Sequence, residues 1–157
     1  MIMGKVTTIV VAIVLIVSVF LIFSNIQDSE IRYLASPYYE MSYTELGEHT
    51  VEYDYKDLLR NIDGYSGKVI FVEGEVTNTQ HDIDLMTVCM KEDTFTCNMI
   101  FVDLNKNYNW LKGDELSGFV LVDSLSQAHR TNMLTGNQYD TDLLPRTTEI
   151  NLKCSNC

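Results

Sequence analysis

Tyr55-Lys-Asp-Leu-Leu-Arg-Asn-Ile-Asp-Gly-Tyr65-Ser-Gly-Lys-Val-Ile-Phe-Val-Glu-Gly-Glu-Val76 decides the fold. Leu58, Leu59 and Ile62 give a short helix one apolar face, suited to capping a sheet. Gly64 and Gly67 punctuate the turn that follows. A strand starts at Lys68, and its run Val69-Ile70-Phe71-Val72 is apolar on both faces, as in a small closed barrel. Gly74 sits inside that strand, where a missing side chain permits a sharp bend or bulge.

Toward the C-terminus, Thr77 to Asp84 reads as a polar loop. His81, Asp82 and Asp84 in it form too small a ligand set for a metal, so a solvated loop is expected. Leu85–Met90 and Thr94–Leu104 predict a hairpin turning around Lys91-Glu92-Asp93. A turn centred on Asp93 places Cys89 opposite Cys97 and Met90 opposite Thr96, at a Cβ spacing of about 4.5–5.5 Å that a disulfide can bridge. Met86, Val88 and Met90 share one face, and Phe95, Met99 and Phe101 share a face of the next strand. A methionine patch suits copper, but filling the core is the commoner role and the one expected here.

Asn105 to Trp110 predicts a turn or brief helix, with Trp110 and Leu111 capping the barrel. Glu115–Asp123 is the fourth strand, its buried run Phe119-Val-Leu-Val. Ser124 to Leu144 reads as a long polar loop carrying His129, Arg130, Met133 and Tyr139, either functional or simply mobile. Pro145 opens the last strand, with Thr148, Ile150 and Leu152 expected inward.

Cys154-Ser-Asn-Cys157 is compatible with a redox pair, half a metal site or a terminal disulfide. It trails a strand, whereas a thioredoxin-type pair needs a helix N-terminus. A four-cysteine zinc site lacks its second short-spaced pair. The expectation is a disulfide, or capture of copper or zinc by Cys154 and Cys157. Of the three possible pairings, Cys89–Cys97 with Cys154–Cys157 is favoured.

Toward the N-terminus, Val6 to Phe23 runs for 18 residues without a charge. At about 1.5 Å per residue it nearly spans a bilayer core, and Ile26 extends it. No small-x-small cleavage site follows in Ser24-Asn25-Ile26-Gln27, so an uncleaved single-pass helix is preferred over a signal peptide or a pilin-like leader. Lys5 flanks one end, with Asp28 and Glu30 beyond the other. That asymmetry places the N-terminus in the cytoplasm and the remainder outside. Residues 28–53 form a connector rich in tyrosine: Tyr33, Tyr38, Tyr39, Tyr43 and Tyr53. These rings suit a membrane-interface belt, a partner contact or a cover for the barrel's open end. Pro37 breaks any helix before it, and Ser42-Tyr-Thr-Glu45 is a capping box opening at most a short turn before Gly47.

The Tyr-x-Asp-Leu-Leu-Arg-Asn helix, the Tyr65-Ser-Gly-Lys turn and the Val69–Val76 strand resemble the small OB-fold domains of the tRNA-anticodon-binding-like family. Leu111-Lys-Gly-Asp-Glu-Leu-Ser-Gly-Phe-Val resembles that family's fourth strand, and Pro145-Arg-Thr-Thr-Glu-Ile-Asn-Leu its closing strand. The similarity covers roughly 52–152 and rests on turn glycines and strand apolars. It implies a mainly β, five-stranded OB-like Greek-key barrel, here preceded by a single transmembrane helix. It also marks Ser124–Leu144 as the loop OB-folds often use for ligands. The expected organisation is an anchor over 1–27, a connector over 28–53, the barrel over 54–153 and the Cys-x-x-Cys tail over 154–157.

Net charge is −11, and all 22 acidic residues follow the anchor. Such a surface repels phosphate backbones, and Leu85–Leu104 contains only Lys91 as a basic residue, which argues against nucleic-acid binding. The chain lacks Gly-x-Ser-x-Gly, a Walker-type loop and His-Glu-x-x-His, and its histidines are scattered at 49, 81 and 129. A non-catalytic role follows. The expected protein is an accessory module whose partners are integral membrane subunits and the lipid bilayer, engaged by the helix and by a barrel surface including Tyr33, Tyr38, Tyr39, Tyr43, His129, Arg130 and Tyr139. The layout is also similar to the haem chaperones of cytochrome c maturation. His129 is followed four residues on by Met133, though, where those proteins carry tyrosine.

Overall fold

The computed structural model describes residues 34–80, 84–91, 97–106, 108–131 and 138–157, with the side chains of 91, 129–131 and 138–142 excepted. The expected anchor, Tyr33, the His81–Asp82 pair, the Glu92–Thr96 turn region and Met133 lie outside them. Among the described residues no helix is long and apolar enough to cross a membrane.

A 3-10 turn at Ser36–Tyr38 leads to α1 (Tyr43–His49), α2 (Tyr55–Arg60) and α3 (Ile62–Tyr65). Five strands follow: β1 (Val69–Gln80), β2 (Leu85–Lys91), β3 (Cys97–Asp103), β4 (Glu115–Thr131) and β5 (Gln138–Cys154). They form a closed barrel in the order β1-β2-β3-β5-β4, with β4 returning to β1. Among these ladders β3–β5 is the parallel one; the others are antiparallel.

Local chemistry sets the helices. Asp54 caps α2 by accepting from the Lys56 and Asp57 amides at 2.9 and 3.0 Å. Ser42 and Glu45 form the reciprocal capping box of α1, their amides each donating to the other's side chain. This helix runs past Gly47 to His49, longer than the turn expected. Leu58 is fully buried, and Leu59 and Ile62 pack beside it against the barrel core, so the apolar face read from the sequence is the face used.

β1 hydrogen-bonds to β4 along Val69–Glu75 and to β2 along Gly74–Gln80. Gly74 lies where the two ladders overlap, opposite both Met90 and Leu116. A Cβ there would run into the Cys89 carbonyl and the Val88 side chain. Absence of a side chain therefore lets three strands converge.

Two apolar clusters occupy the two faces of the sheet. Inside the barrel, Ile70, Val72, Val76, Met86, Val88, Met90, Ile100, Val102, Val120 and Val122 pack together with Leu58 and Trp110. Outside it, Ala35 and Leu46 cover Val69, Phe119, Leu121 and Ile150, with Tyr38, Tyr39 and Met41 at the margin. The compact unit thus starts at Ala35, so residues 35–53 of the tyrosine-rich connector pack with the folded body.

Several expectations are corrected. Met86 and Met90 fill the core, but Met99 and Phe101 point to the outer face of β3, whose buried residues are Ile100 and Val102. Trp110 is buried, whereas Leu111 is 64% exposed. Ser124–Leu144 is not a long loop: its two ends are strand, with Ser124 opposite Arg146 and Thr131 opposite Gln138. The polar residues that read as loop instead line a two-stranded arm extending from the barrel.

The inward set of β5 is also shifted. Val120 pairs with Glu149 and Phe119 with Asn151, leaving Ile150 as an extra residue. Such a bulge reverses which alternate residues face inward. Before it, Thr147 and Glu149 share the inner face with Val122 and Val120, while Thr148 lies opposite Leu121 on the outside; Leu152 rejoins the interior. Ile150 is buried in the outer cluster.

Gly74→Ala is expected to cost about 3 kcal/mol, because backbone blocks the new methyl. Gly47→Ala, in helix α1 with nothing within 4 Å of its added Cβ, should gain about 0.5–1 kcal/mol. Denaturant unfolding of the two variants checks both signs.

Candidate functional site

Four cysteines form two disulfides, Cys89–Cys97 and Cys154–Cys157. The first does not join directly opposed residues. Cys89 stands opposite Met99, and Cys97 opposite Lys91, so the pair is diagonal and not directly opposed as expected. Their Cα atoms are nevertheless 5.2 Å apart, closer than the roughly 7–8 Å of an ordinary diagonal and within reach of a disulfide.

The second disulfide closes the C-terminal loop against the turn that introduces β4. That turn is made by Leu111–Asp114: the Asp114 amide donates to the Leu111 carbonyl at 3.1 Å, and Gly113 adopts φ 98°. It is stitched to β1, since the Gly113 amide donates to the Val76 carbonyl and the Val76 amide to the Asp114 carbonyl, both at 2.9 Å. The loop residues between the cysteines bind the same turn. Ser155 donates to the Glu115 carbonyl from its amide at 2.9 Å and from its hydroxyl at 3.2 Å. The Asn156 side chain accepts from the Glu115 amide at 2.8 Å and donates to the Gly113 carbonyl at 3.4 Å.

This docking puts the Asp114 carboxylate beside the sulfurs. Its Oδ2 accepts from the Leu111 amide at 2.8 Å and lies 3.2 Å from Cys157 Sγ. One ligand atom each from Asp114, Cys154 and Cys157 falls within a 4.8 Å cluster. The two expected metal ligands therefore have a third neighbour, Asp114, forty or more residues upstream. Cys89 and Cys97 lie on a different strand pair and do not join them.

The expected partner-binding tyrosines divide. Tyr43 is 39% exposed, meets Phe119 edge-to-face at 4.7 Å and lies under Lys153 Nζ at 4.1 Å. Phe71, 36% exposed, meets the same Phe119 at 5.3 Å, so Tyr43 and Phe71 flank it as an accessible aromatic pair. Tyr38 and Tyr39 pack against the outer cluster. Tyr53 and Tyr55 reach into the barrel, their hydroxyls donating to Met90 Sδ at 3.3 Å and the Met99 carbonyl at 2.7 Å. His129 and Arg130 stand opposite Asp140 and Tyr139 in the β4–β5 arm.

A polar cluster near the other end of β3 went unread in the sequence. Glu149 is only 1% exposed, and accepts from the Tyr108 hydroxyl at 2.7 Å and the Asn105 amide at 3.1 Å. Tyr108 stacks on Trp110 with ring centroids 3.8 Å apart. It also lines a cleft of about 390 Å³ shared with Thr79, Gln80, Asp84, Leu85, Leu104 and Asn109. Nearby, Arg146 and Asp103 form a bidentate ion pair at 2.6 and 2.9 Å across the parallel ladder. Isolated carboxylates and an arginine give no sequence signal of such pairing; only the parallel register brings them together.

No family model, curated protein or solved structure matches the chain.

Burial, followed by the hydrogen bond to Glu149, pushes the Tyr108 phenol well above its ordinary value of 10.0. A raised folded-state value means its stabilisation is complete below about pH 10 and is lost as pH rises through the folded value. Tyr108→Phe should cost about 1–3 kcal/mol at neutral pH, because it leaves a buried carboxylate short of a donor. It should also flatten the alkaline fall in stability. Denaturation midpoints of both proteins across the alkaline range check this.

Proposed function

We propose that this protein is a non-catalytic, membrane-anchored interaction module, an accessory subunit whose barrel faces the extracytoplasmic side. The observation that carries the proposal is a domain stapled by two disulfides behind an 18-residue uncharged segment. Disulfides persist in oxidising compartments, and the segment over 6–23 supplies a means of anchoring there. The finer reading of the barrel as an OB-fold is supported by its strand order and the parallel β3–β5 ladder that closes it. In this reading the helix contacts integral membrane subunits and lipid, and the barrel presents Tyr43 and Phe71 to an extracytoplasmic partner. The strongly acidic body disfavours an oligonucleotide as that partner.

A second reading, a carrier of copper or zinc, is favoured by the carboxylate of Asp114 beside Cys154 and Cys157. Extraction of the native protein in mild detergent separates the two. Mass spectrometry of co-purifying chains should find stoichiometric companions, and elemental analysis should find no metal. A lone protein carrying copper or zinc, lost in the Cys154→Ser/Cys157→Ser variant, would sink the accessory-subunit reading.

A further inference from the structure

We propose that the C-terminal loop is a redox-gated site for a borderline divalent cation such as zinc, with Cys154, Cys157 and Asp114 as its protein ligands. The inference deepens the metal-carrier reading of the same cluster by making its occupancy depend on the disulfide, and it does not depend on the accessory-subunit reading.

The geometry argues for a site that outlasts the disulfide. Ser155 and Asn156 hold the loop to the backbone of Gly113 and Glu115, on either side of Asp114, through four hydrogen bonds that involve neither sulfur. Breaking the disulfide therefore leaves both cysteines facing the same carboxylate. Asp114 is fixed in turn by the Leu111 amide and by two backbone bonds from its turn to Val76. The Asp114 carboxylate already lies 3.2 Å from Cys157 Sγ, close to the ligand edges of about 3.4–3.8 Å of a tetrahedral ion. Once the disulfide is reduced, the main adjustment is that the two sulfurs part from bonding distance to about 3.8 Å. Two thiolates and a carboxylate suit zinc and leave a fourth position open to water or another donor.

Oxidation state is the gate, because a disulfide sulfur is a poor ligand and a thiolate a strong one. Cys157 is the more exposed of the pair, so a dithiol reductant reaches its sulfur first. One thiolate of the reductant bonds to Cys157 Sγ and expels Cys154 as thiolate. The second thiolate then attacks the reductant's own sulfur, expelling Cys157 and closing the reductant into a disulfide. Both cysteine thiolates bind the ion, and the two protons of the dithiol pass to solvent. Removing the ion allows any disulfide oxidant to reverse the cycle.

The test is cobalt(II) titration of the full-length protein in detergent, before and after reduction with a phosphine, followed by thiolate-to-cobalt charge-transfer absorption. The reduced protein should take up one cobalt per chain with that absorption, and the oxidised protein none. Cys89→Ser/Cys97→Ser should retain the signal and Cys154→Ser/Cys157→Ser should lose it. Asp114→Asn should bind at least tenfold more weakly. Asp114→Cys, adding a third thiolate, should raise the absorption by about half. No charge-transfer band on reduction, a signal that follows Cys89 and Cys97, or Asp114→Asn binding like the parent would overturn the proposal. Unchanged intensity in Asp114→Cys would do the same. Cobalt tests whether the site can form, while metal content of the native extract reports on the assembly reading, so the two can fail separately.

Discussion

One strand must satisfy two neighbours at once. β1 gives its first half to β4 and its second half to β2, and around Gly74 it bonds to both. Every other ladder follows from that division. β4 and β2 are held apart by the strand they share, and β5 and β3 fill the remaining gap by pairing in parallel. A parallel pair of three registers is a slender closure, and side chains reinforce it. Arg146 grips Asp103 with two bonds, and the Thr147 hydroxyl donates to the Phe101 carbonyl at 2.9 Å. Glu149 continues the seam by holding the chain just past β3 through Asn105 and Tyr108.

Parts governed by local chemistry were legible in the sequence. The α2 face, the turn before β1 and both cysteine pairs could be read from spacing and turn residues, because each depends on neighbours within a few positions. Nonlocal features escaped. The Ile150 bulge reversed the inward set, since alternation shows a period and not where it slips. The β4–β5 arm looked like loop because its sequence is largely polar and lacks the apolar alternation that identifies strands. For the tyrosine-rich segment before residue 54 the sequence left a partner contact and a cover both open, and the buried Ala35 and Leu46 lie on the outer face of the sheet, not at the barrel's open end.

The same reasoning explains the partial legibility of the candidate site. Cys154 and Cys157 announce themselves by spacing, but a lone aspartate among 22 acids does not. Asp114 acquires meaning from the pairing of Leu116 with Cys154, which lays the end of β5 along the start of β4. Glu149 carries the opposite lesson. An acidic residue between Thr148 and Ile150 reads as solvent-facing, yet its hydrogen bonds make an interior position tenable.

Because β5 bonds to both β4 and β3, the barrel has no complete wall until the last strand exists. During synthesis, the β1–β2–β3 meander can assemble early from near neighbours, bringing Cys89 and Cys97 together ahead of closure. The seam that encloses the core joins residues more than forty positions apart and waits for the final segment to emerge. The barrel therefore cannot close until β5 has been made.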